Sequence, residues 1–586
     1  MDPRTTLRRM CNVSIALAVA ASAVSAQNAI TRIAVDPNGV EGNEMTVDAV
    51  ISADGRYVAF ASFASNLVAD DTNGAPHLGS DVFVRDLASG VVVRVSVSSG
   101  DEQADHDSYG PSISADGRYV AFVSFATNLV AGDNNGFMDI FVHDRDPDGN
   151  GVFDEGNGVT TRVNVRADGT ECDEQSGNAI ISADGRLVLF VTLADNLVDD
   201  DKNQVQDIYA HDRLTGATVR VILGTGGVET NGTCYLSTLS PDATLVTFSS
   251  EATNLVSGDT NGVVDAFICD LATGIVERSS VDSAGVEGND ESIAVGGMTA
   301  DNRFVVFASR ADNLVAGDAN QYFDVFLRDR TSGVTTRVSL GQGGVEGDGD
   351  SAPGLYGGIS SDGRFVAFRS EAKNMVPDDT NHFYDVFRRD LTTGDVVLVS
   401  ATRAGGFSNG PNFPFDSTPD LSLILLHSYA TDLVSYDTNG EIDPYYGQEA
   451  YLRDMNVAAG TASTEAYAQG LAGTNGVPTL SPSTNPVLGS PIHIDLGNSS
   501  GGSTLGLVIV GLLPAEVPFS GGTLVADPHG WFVPVVMDAS GAALDAVIPS
   551  DPGVRGISLF TQLLVLDAGA VRGVSMSRGC EMVEGD

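Results

Sequence analysis

The sequence predicts an all-β protein: a seven-bladed β-propeller closed by its own N-terminal strand, followed by a C-terminal β-sandwich-like domain. Three observations carry this. A phrase first met as ISADGRYVAF at Ile51 returns in variant form at Ile113, Ile181, Leu239, Met298, Ile359 and Thr418, about 60 residues apart, a period that marks propellers, solenoids and arrays. A second phrase, DVFVRD ending at Asp86, has counterparts ending at Asp144, Asp212, Asp270, Asp329, Asp390 and Asp454. The repeat region also opens with a strand that, by its spacing, belongs at the end of a unit.

In chain order, Arg4, Arg8 and Arg9 precede an apolar run from Val13 to Val24 that ends in small residues up to Ala26. This pattern predicts a secretory signal peptide over residues 1–26, and the Arg8-Arg9 pair leaves twin-arginine export open. The run is too short to span a bilayer, and no other stretch is long and apolar enough, so no membrane span is expected.

Each repeat then reads as four strands. Ser-x-Asp-Gly is turn chemistry: Asp bonds the backbone two residues on, and Gly accepts a positive φ. The alternating stretch Tyr57 to Phe60 follows, then the strand at Asp81, a Gly-containing turn, and a strand from Val91 to Val97. No segment of helical period intervenes. The fourth strand carries an arginine (Arg94, Arg162, Arg220, Arg278, Arg337), and Arg32 precedes Asp54 by the interval that separates Arg94 from Asp116. Thr31 to Val35 is therefore a fourth strand without a blade, and the seventh repeat stops after Tyr451 to Asp454 without a fourth strand. Pairing Ile30 to Val35 with Tyr451 to Arg453 closes the ring and removes two open sheet edges.

The box SADGRYVAF resembles the SPDGxxIAF box of the TolB-type propeller repeat, which is also found in propellers of tricorn-like and prolyl-oligopeptidase-like peptidases. The resemblance covers residues 30–457, with degenerate boxes SPDA and TPDLS in blades four and seven. It implies the fold. The N-terminal α/β domain of TolB has no counterpart before Arg32, and no peptidase catalytic domain is visible. Residues 458–477, rich in Ala, Gly, Thr and Ser, read as a linker. Residues 478–586 read as a β-sandwich-like domain, similar to C-terminal domains appended to large secreted bacterial proteins.

With 31 Lys plus Arg against 78 Asp plus Glu, the net charge is −47. A surface that acidic argues against nucleic acid as a partner. At 42% hydrophobic residues the chain is foldable, and the 67 glycines fit many tight turns. Cys172 and Cys234 enter successive repeats and are either a disulfide or buried thiols.

The best local motif is DxDxDGxxxxxE in blade two, formed by Asp144, Asp146, Asp148, Gly149 and Glu155, with Asn150 inside it. Alternating oxygens, a glycine at the bend and a late carboxylate are what a calcium loop needs. A register using Asp146, Asp148, Asn150 and Asp154 fits nearly as well, and a solvated acidic hairpin is the simpler reading. A weaker metal candidate is the repeated Asp/Asn/Asp set, such as Asp133/Asn135/Asp139 and Asp318/Asn320/Asp324; its recurrence in the blades favours loop stabilisation. No GxSxG, HExxH or Walker motif occurs. Arg403, His427, Tyr445 and Tyr446 break the repeat. These observations predict a secreted or periplasmic, non-enzymatic binding or scaffold protein, monomeric, with a protein or polysaccharide ligand at the propeller face. The alternative is an extracellular hydrolase or lyase with an acidic site at the channel mouth.

Overall fold

The computed structural model describes residues 30–455, apart from 38, 74–78, 295, 355–357, 403–404 and 435–447, and the backbone of strands between 463 and 583. The signal segment, Arg403, Tyr445 and Tyr446 lie outside the described residues.

Seven four-stranded antiparallel sheets make the propeller. In blade one the strands are Thr46–Ile51, Tyr57–Ser62, Asp81–Asp86 and Val92–Arg94, from the innermost outwards. Blades two to six follow the same order. The seventh takes its outermost strand from the start of the chain: Ile30–Arg32 lies beside Glu449–Asp454, with Ile30 opposite Arg453, Thr31 opposite Leu452 and Arg32 opposite Tyr451. The ring therefore closes as the spacing of Arg32 and Asp54 requires.

The box turn shows why its residues recur. Asp54 accepts hydrogen bonds from the Ser52 hydroxyl (2.6 Å) and the Arg56 amide (3.0 Å), and Ser52 in turn accepts from the Tyr57 amide (2.9 Å). Gly55 has φ +75°, and a Cβ there would lie 2.8 Å from Leu423 of the neighbouring blade. The degenerate boxes keep the same turn with Ala243 and Leu421 at φ 55° and 53°, a conformation that costs an L-residue about 1–2 kcal/mol.

The core lies between blades. Val58, Phe60 and Phe83 of blade one pack with Leu425, Ala450 and Leu452 of blade seven, and Ala59, Val82 and Val84 pack with Val120, Phe122 and Phe141 of blade two. Each buried aromatic contributes roughly 1.5–3 kcal/mol. Around the axis, neighbouring inner strands are laced together: Asp48 accepts from the Gly110 amide (3.2 Å), Ser112 from the Ile181 amide (3.0 Å), and Asn178 donates to the Leu236 carbonyl (2.7 Å).

Beyond the propeller, Ser463–Tyr467, Gly579–Val583, Ser558–Leu566, Thr504–Gly511 and Trp531–Met537 pair in that order, and Leu480–Pro482, Pro491–Leu496 and Ala542–Val547 form a second sheet. Ser463–Tyr467 falls within the segment read as a linker.

Candidate binding pocket at the channel mouth

The repeated carboxylates do converge, and in blades one to five an arginine of the outermost strand sits among them, in blade one Arg94 between Asp71 (3.6 Å) and Asp81 (3.5 Å). Arg162 reaches Asp133 (3.2 Å), Asp139 (2.9 Å) and Glu171 (2.6 Å). Arg337 does the same with Asp318, Asp324 and Glu346 at 3.1, 2.9 and 2.8 Å, and Arg220 with Asp201, Asp207 and Glu229 at 3.3, 3.4 and 3.1 Å. Arg278 gathers Asp259, Asp265 and Glu287 likewise. A guanidinium thus neutralises what the spacing alone presents as a metal-ligand set. In blade six the arginine position holds Leu398, opposite Phe387 as Arg337 is opposite Phe326; there burial pushes the Asp385 carboxyl up to about 6.

The blade-two loop divides its acids. Asp144 is gripped by Arg118 through two bonds (2.7 and 2.9 Å), and Asp154 is paired with Arg145 (2.9 Å). Asp146 accepts the amides of Asn150 (3.0 Å) and Gly151 (2.9 Å). The Asn150 side-chain amide donates to Asp148 (3.2 Å) and Glu155 (2.7 Å). Asp146, Asp148, Asn150 and Glu155 are therefore together, while Asp144 is committed to an arginine.

Cys172 and Cys234 are free and buried. They occupy unequal positions, Cys172 beside Ser176 (3.6 Å) and Cys234 against Ser250 (3.4 Å). The disulfide alternative is thereby replaced by the buried-thiol one. His143 and His211 sit on third strands and bond Thr160 (2.8 Å) and Thr218 (2.9 Å), as repeat variants.

What breaks the repeat is a cavity of about 590 Å³ at one end of the inner strands of blades five to seven. The inner strands of blades five and six are short, Ser292–Ile293 and Ser351–Pro353, and the two blades touch through glycine: a Cβ on Gly296 (φ +98°) would lie 2.7 Å from Pro353. The residue before the last Ser or Thr of each second strand is Ala61, Val123, Val191, Ser249 and Ala308 in blades one to five, but Arg369 and His427 in blades six and seven. Both line the cavity, with Arg310, Phe323, Tyr384, Phe415 and Gln448 among their neighbours.

Aromatic faces carry the cations. The Arg310 guanidinium lies over Phe323 (4.5 Å), and that of Arg369 over Tyr384 and Phe413 (both 5.1 Å). His427, 2% exposed, stacks on Phe415 with ring centroids 4.3 Å apart, and burial holds its imidazole down to about 3. The Tyr429 hydroxyl donates to Gln448 Oε1 (3.2 Å), and Gln448 Nε2 meets His427 Nδ1 (2.7 Å). With its oxygen so engaged the amide nitrogen is the donor, which makes Nδ1 the acceptor and places the imidazole proton on Nε2. That Nε2 is buried and has no partner among the described residues. Repeat-based reading singled out His427 but missed Arg310 and Arg369; aligning the seven second strands and asking which inward position changes character is the signal that finds Arg369.

No family model and no curated protein matches the chain. Among solved structures, it is similar to a putative TolB from Agrobacterium tumefaciens (14% identity, TM-score 0.33, 64% of this chain and 98% of that one). It is similar also to a prolyl endopeptidase (14%, TM-score 0.39, 70% of this chain and 52% of that one) and to a polysaccharide lyase, an ulvan lyase (8%, TM-score 0.36, 74% and 96%). The chain spans about half the length of the endopeptidase. By its own strand pairing the chain is a seven-bladed β-propeller, and its box is similar to that of TolB-type propeller repeats.

Proposed function

We propose that the protein is an exported, non-enzymatic binding propeller that takes part of a macromolecular partner into the pocket of blades five to seven. The observation that carries this is the pocket itself, built at the positions where an otherwise regular repeat departs from its pattern. Maintaining a fold explains repeated residues; a local departure that gathers Arg310, Arg369 and His427 around one cavity is what a ligand would select. The arrangement is that of a receptor: His427 Nδ1 is tied to an amide, and Asp350, the carboxylate in the wall, accepts the Phe323 amide (2.7 Å). Export rests on the signal segment over residues 1–26.

The test is capture from envelope and secreted fractions with the full chain as bait, run beside an Arg369→Ala bait. Partners held by the first and lost by the second support the reading. No reproducible partner, or the same partners on both baits, overturns it.

A calcium ion on Asp146, Asp148, Asn150 and Glu155 is a second part of the proposal. Its support is that one side-chain amide already draws Asp148 and Glu155 together, so a rotated Asn150 would add its oxygen to theirs.

A further inference from the structure

We infer that the group this pocket admits is a carboxylate attached to an apolar body, such as an aromatic or branched aliphatic acid, free or as the last residue of a peptide. This rests on the binding reading above and adds the chemistry of the ligand.

The first support is a census of cations. In a chain of net charge −47, arginines are consumed by the protein's own acids and carbonyls. Arg32, Arg56, Arg118 and Arg303 pair with carboxylates, while Arg213, Arg388 and Arg389 bond carbonyls of Gly185, Leu421 and Leu340. Among the described arginines, Arg310 and Arg369 are the two whose guanidinium groups hold neither; each rests on aromatic rings alone, and both line the same cavity. Stacking fixes a guanidinium by its face and leaves its edge, with a fork of N–H donors matched to an oxyanion, free.

The second support is independent of charge. The Tyr429–Gln448–His427 chain leaves His427 Nε2–H as a buried donor without an acceptor among the described residues, a costly state that a ligand oxygen reaching it would relieve. The two guanidinium groups outnumber the one carboxylate in the wall, Asp350, which accepts the Phe323 amide, so the pocket favours an oxyanion over a cation.

The third concerns the body that carries the oxyanion. Much of the remaining wall is apolar, with Ile293, Ala308, Pro353, Phe413, Pro414 and Phe415 beside the polar Asp350 and Ser351. Hydroxyls buried against its apolar part go unpaired, so that part suits an apolar ring or branched chain better than a sugar ring. The cavity volume is in the range of small-ligand sites.

The experiment titrates the full chain with 3-phenylpropionate, 3-phenylpropionamide, acetyl-Gly-Gly-Phe as free acid and as amide, and a glucuronic acid disaccharide, read by calorimetry and by the imidazole ¹⁵N signals of His427. We expect each phenyl acid to bind at least roughly tenfold more tightly than its amide, the effect of losing a charge-assisted hydrogen bond, and to shift the His427 Nε2 signal. Arg310→Gln, at an exposed position, and Arg369→Gln should each erase most of that preference with unchanged melting temperature. Tighter binding of the tripeptide acid than of phenylpropionate assigns the site to a peptide end, and equal binding to a free acid; either agrees with the inference. Amides that bind as well as acids overturn the carboxylate while leaving a binding pocket. A disaccharide that outcompetes both acids overturns the apolar body. No binding by any probe overturns the whole inference, whereas the binding reading stands or falls separately on the Arg369→Ala bait.

Discussion

Asp416, in the inner strand of the last blade, accepts a hydrogen bond from the backbone amide of Ile51 in the first blade, 2.9 Å away. Residues at opposite ends of the propeller sequence are thus joined at the axis, while Ile30–Arg32 joins them at the rim. Burial pushes the Asp416 carboxyl up to about 6. A raised carboxyl favours the folded state below the unfolded value near 3.8 and loses that contribution as pH rises through 6. Asp416→Asn keeps an acceptor and removes the titration. The variant should therefore gain on the wild type by on the order of 2 kcal/mol between pH 4 and pH 7.5. Urea unfolding at both pH values checks this; an identical difference at the two would refute it.

The rim closure makes a second demand. Arg32 pairs with Glu449 at 2.6 Å, both nearly buried. Arg32→Ala leaves that carboxylate without its cation, a loss of about 3–5 kcal/mol for a buried pair. We expect a lower urea midpoint and an edge between blades seven and one that opens to protease. A variant as stable as the parent would mean that the N-terminal strand is held by backbone pairing alone.

The fold was legible because its instructions are written seven times. Ser52, Asp54 and Gly55 make a turn whose chemistry is local, and Arg32 revealed the closing strand because it keeps the repeat interval. The pocket was less legible for the same reason. A repeat is recognised by what its copies share, whereas Arg369 and His427 matter because they differ from Ala61 and Val123 at the same place in the strand. The Asp133 and Asp139 pair invited a metal reading because its partner Arg162 comes from the outermost strand, and only pairing across the sheet brings it in.

Blade six supplies a third prediction. It has Leu398 where blade five has Arg337, and Phe407 where blade five has Glu346. The cation and the acid that partners it are absent together. Arg337→Leu alone strands Asp318, Asp324 and Glu346 and should cost about 3–5 kcal/mol. Adding Glu346→Phe should return at least half of the loss, a coupling that a double-mutant cycle measures. Additive losses would show that the two residues act independently.

His427 responds to acid in the opposite direction from Asp416. Its imidazole is held down to about 3 by burial, so the neutral form stabilises the fold above the unfolded value near 6.5, and that contribution is lost as pH falls toward 3. His427→Gln, which cannot take up the proton, should flatten the fall in stability between pH 6.5 and pH 4 while weakening ligand binding. Parallel acid-unfolding curves for the two proteins would remove His427 as the cause.

Calcium should raise the melting temperature through the blade-two loop, because an ion held only by the folded state shifts the equilibrium by mass action. The loop also says why the effect should be modest. Asp144 is committed to Arg118 and Asp154 to Arg145, so an ion would draw on Asp146, Asp148, Asn150 and Glu155 alone, and Asn150 must exchange its donated bonds for its oxygen. Few charges and a rearranging ligand are the features of weak sites, in the range of about 10⁻⁴–10⁻³ M. At tenfold excess over such a constant the gain is roughly 1.4 kcal/mol, a rise of a few degrees that EDTA reverses and that Asp148→Asn abolishes. Arg118→Gln, which frees Asp144 to join the set, should bind the ion more tightly than the parent chain. A melting temperature indifferent to calcium and EDTA in both the parent and Arg118→Gln would leave the loop as an acidic hairpin extension held by its own arginines and amides.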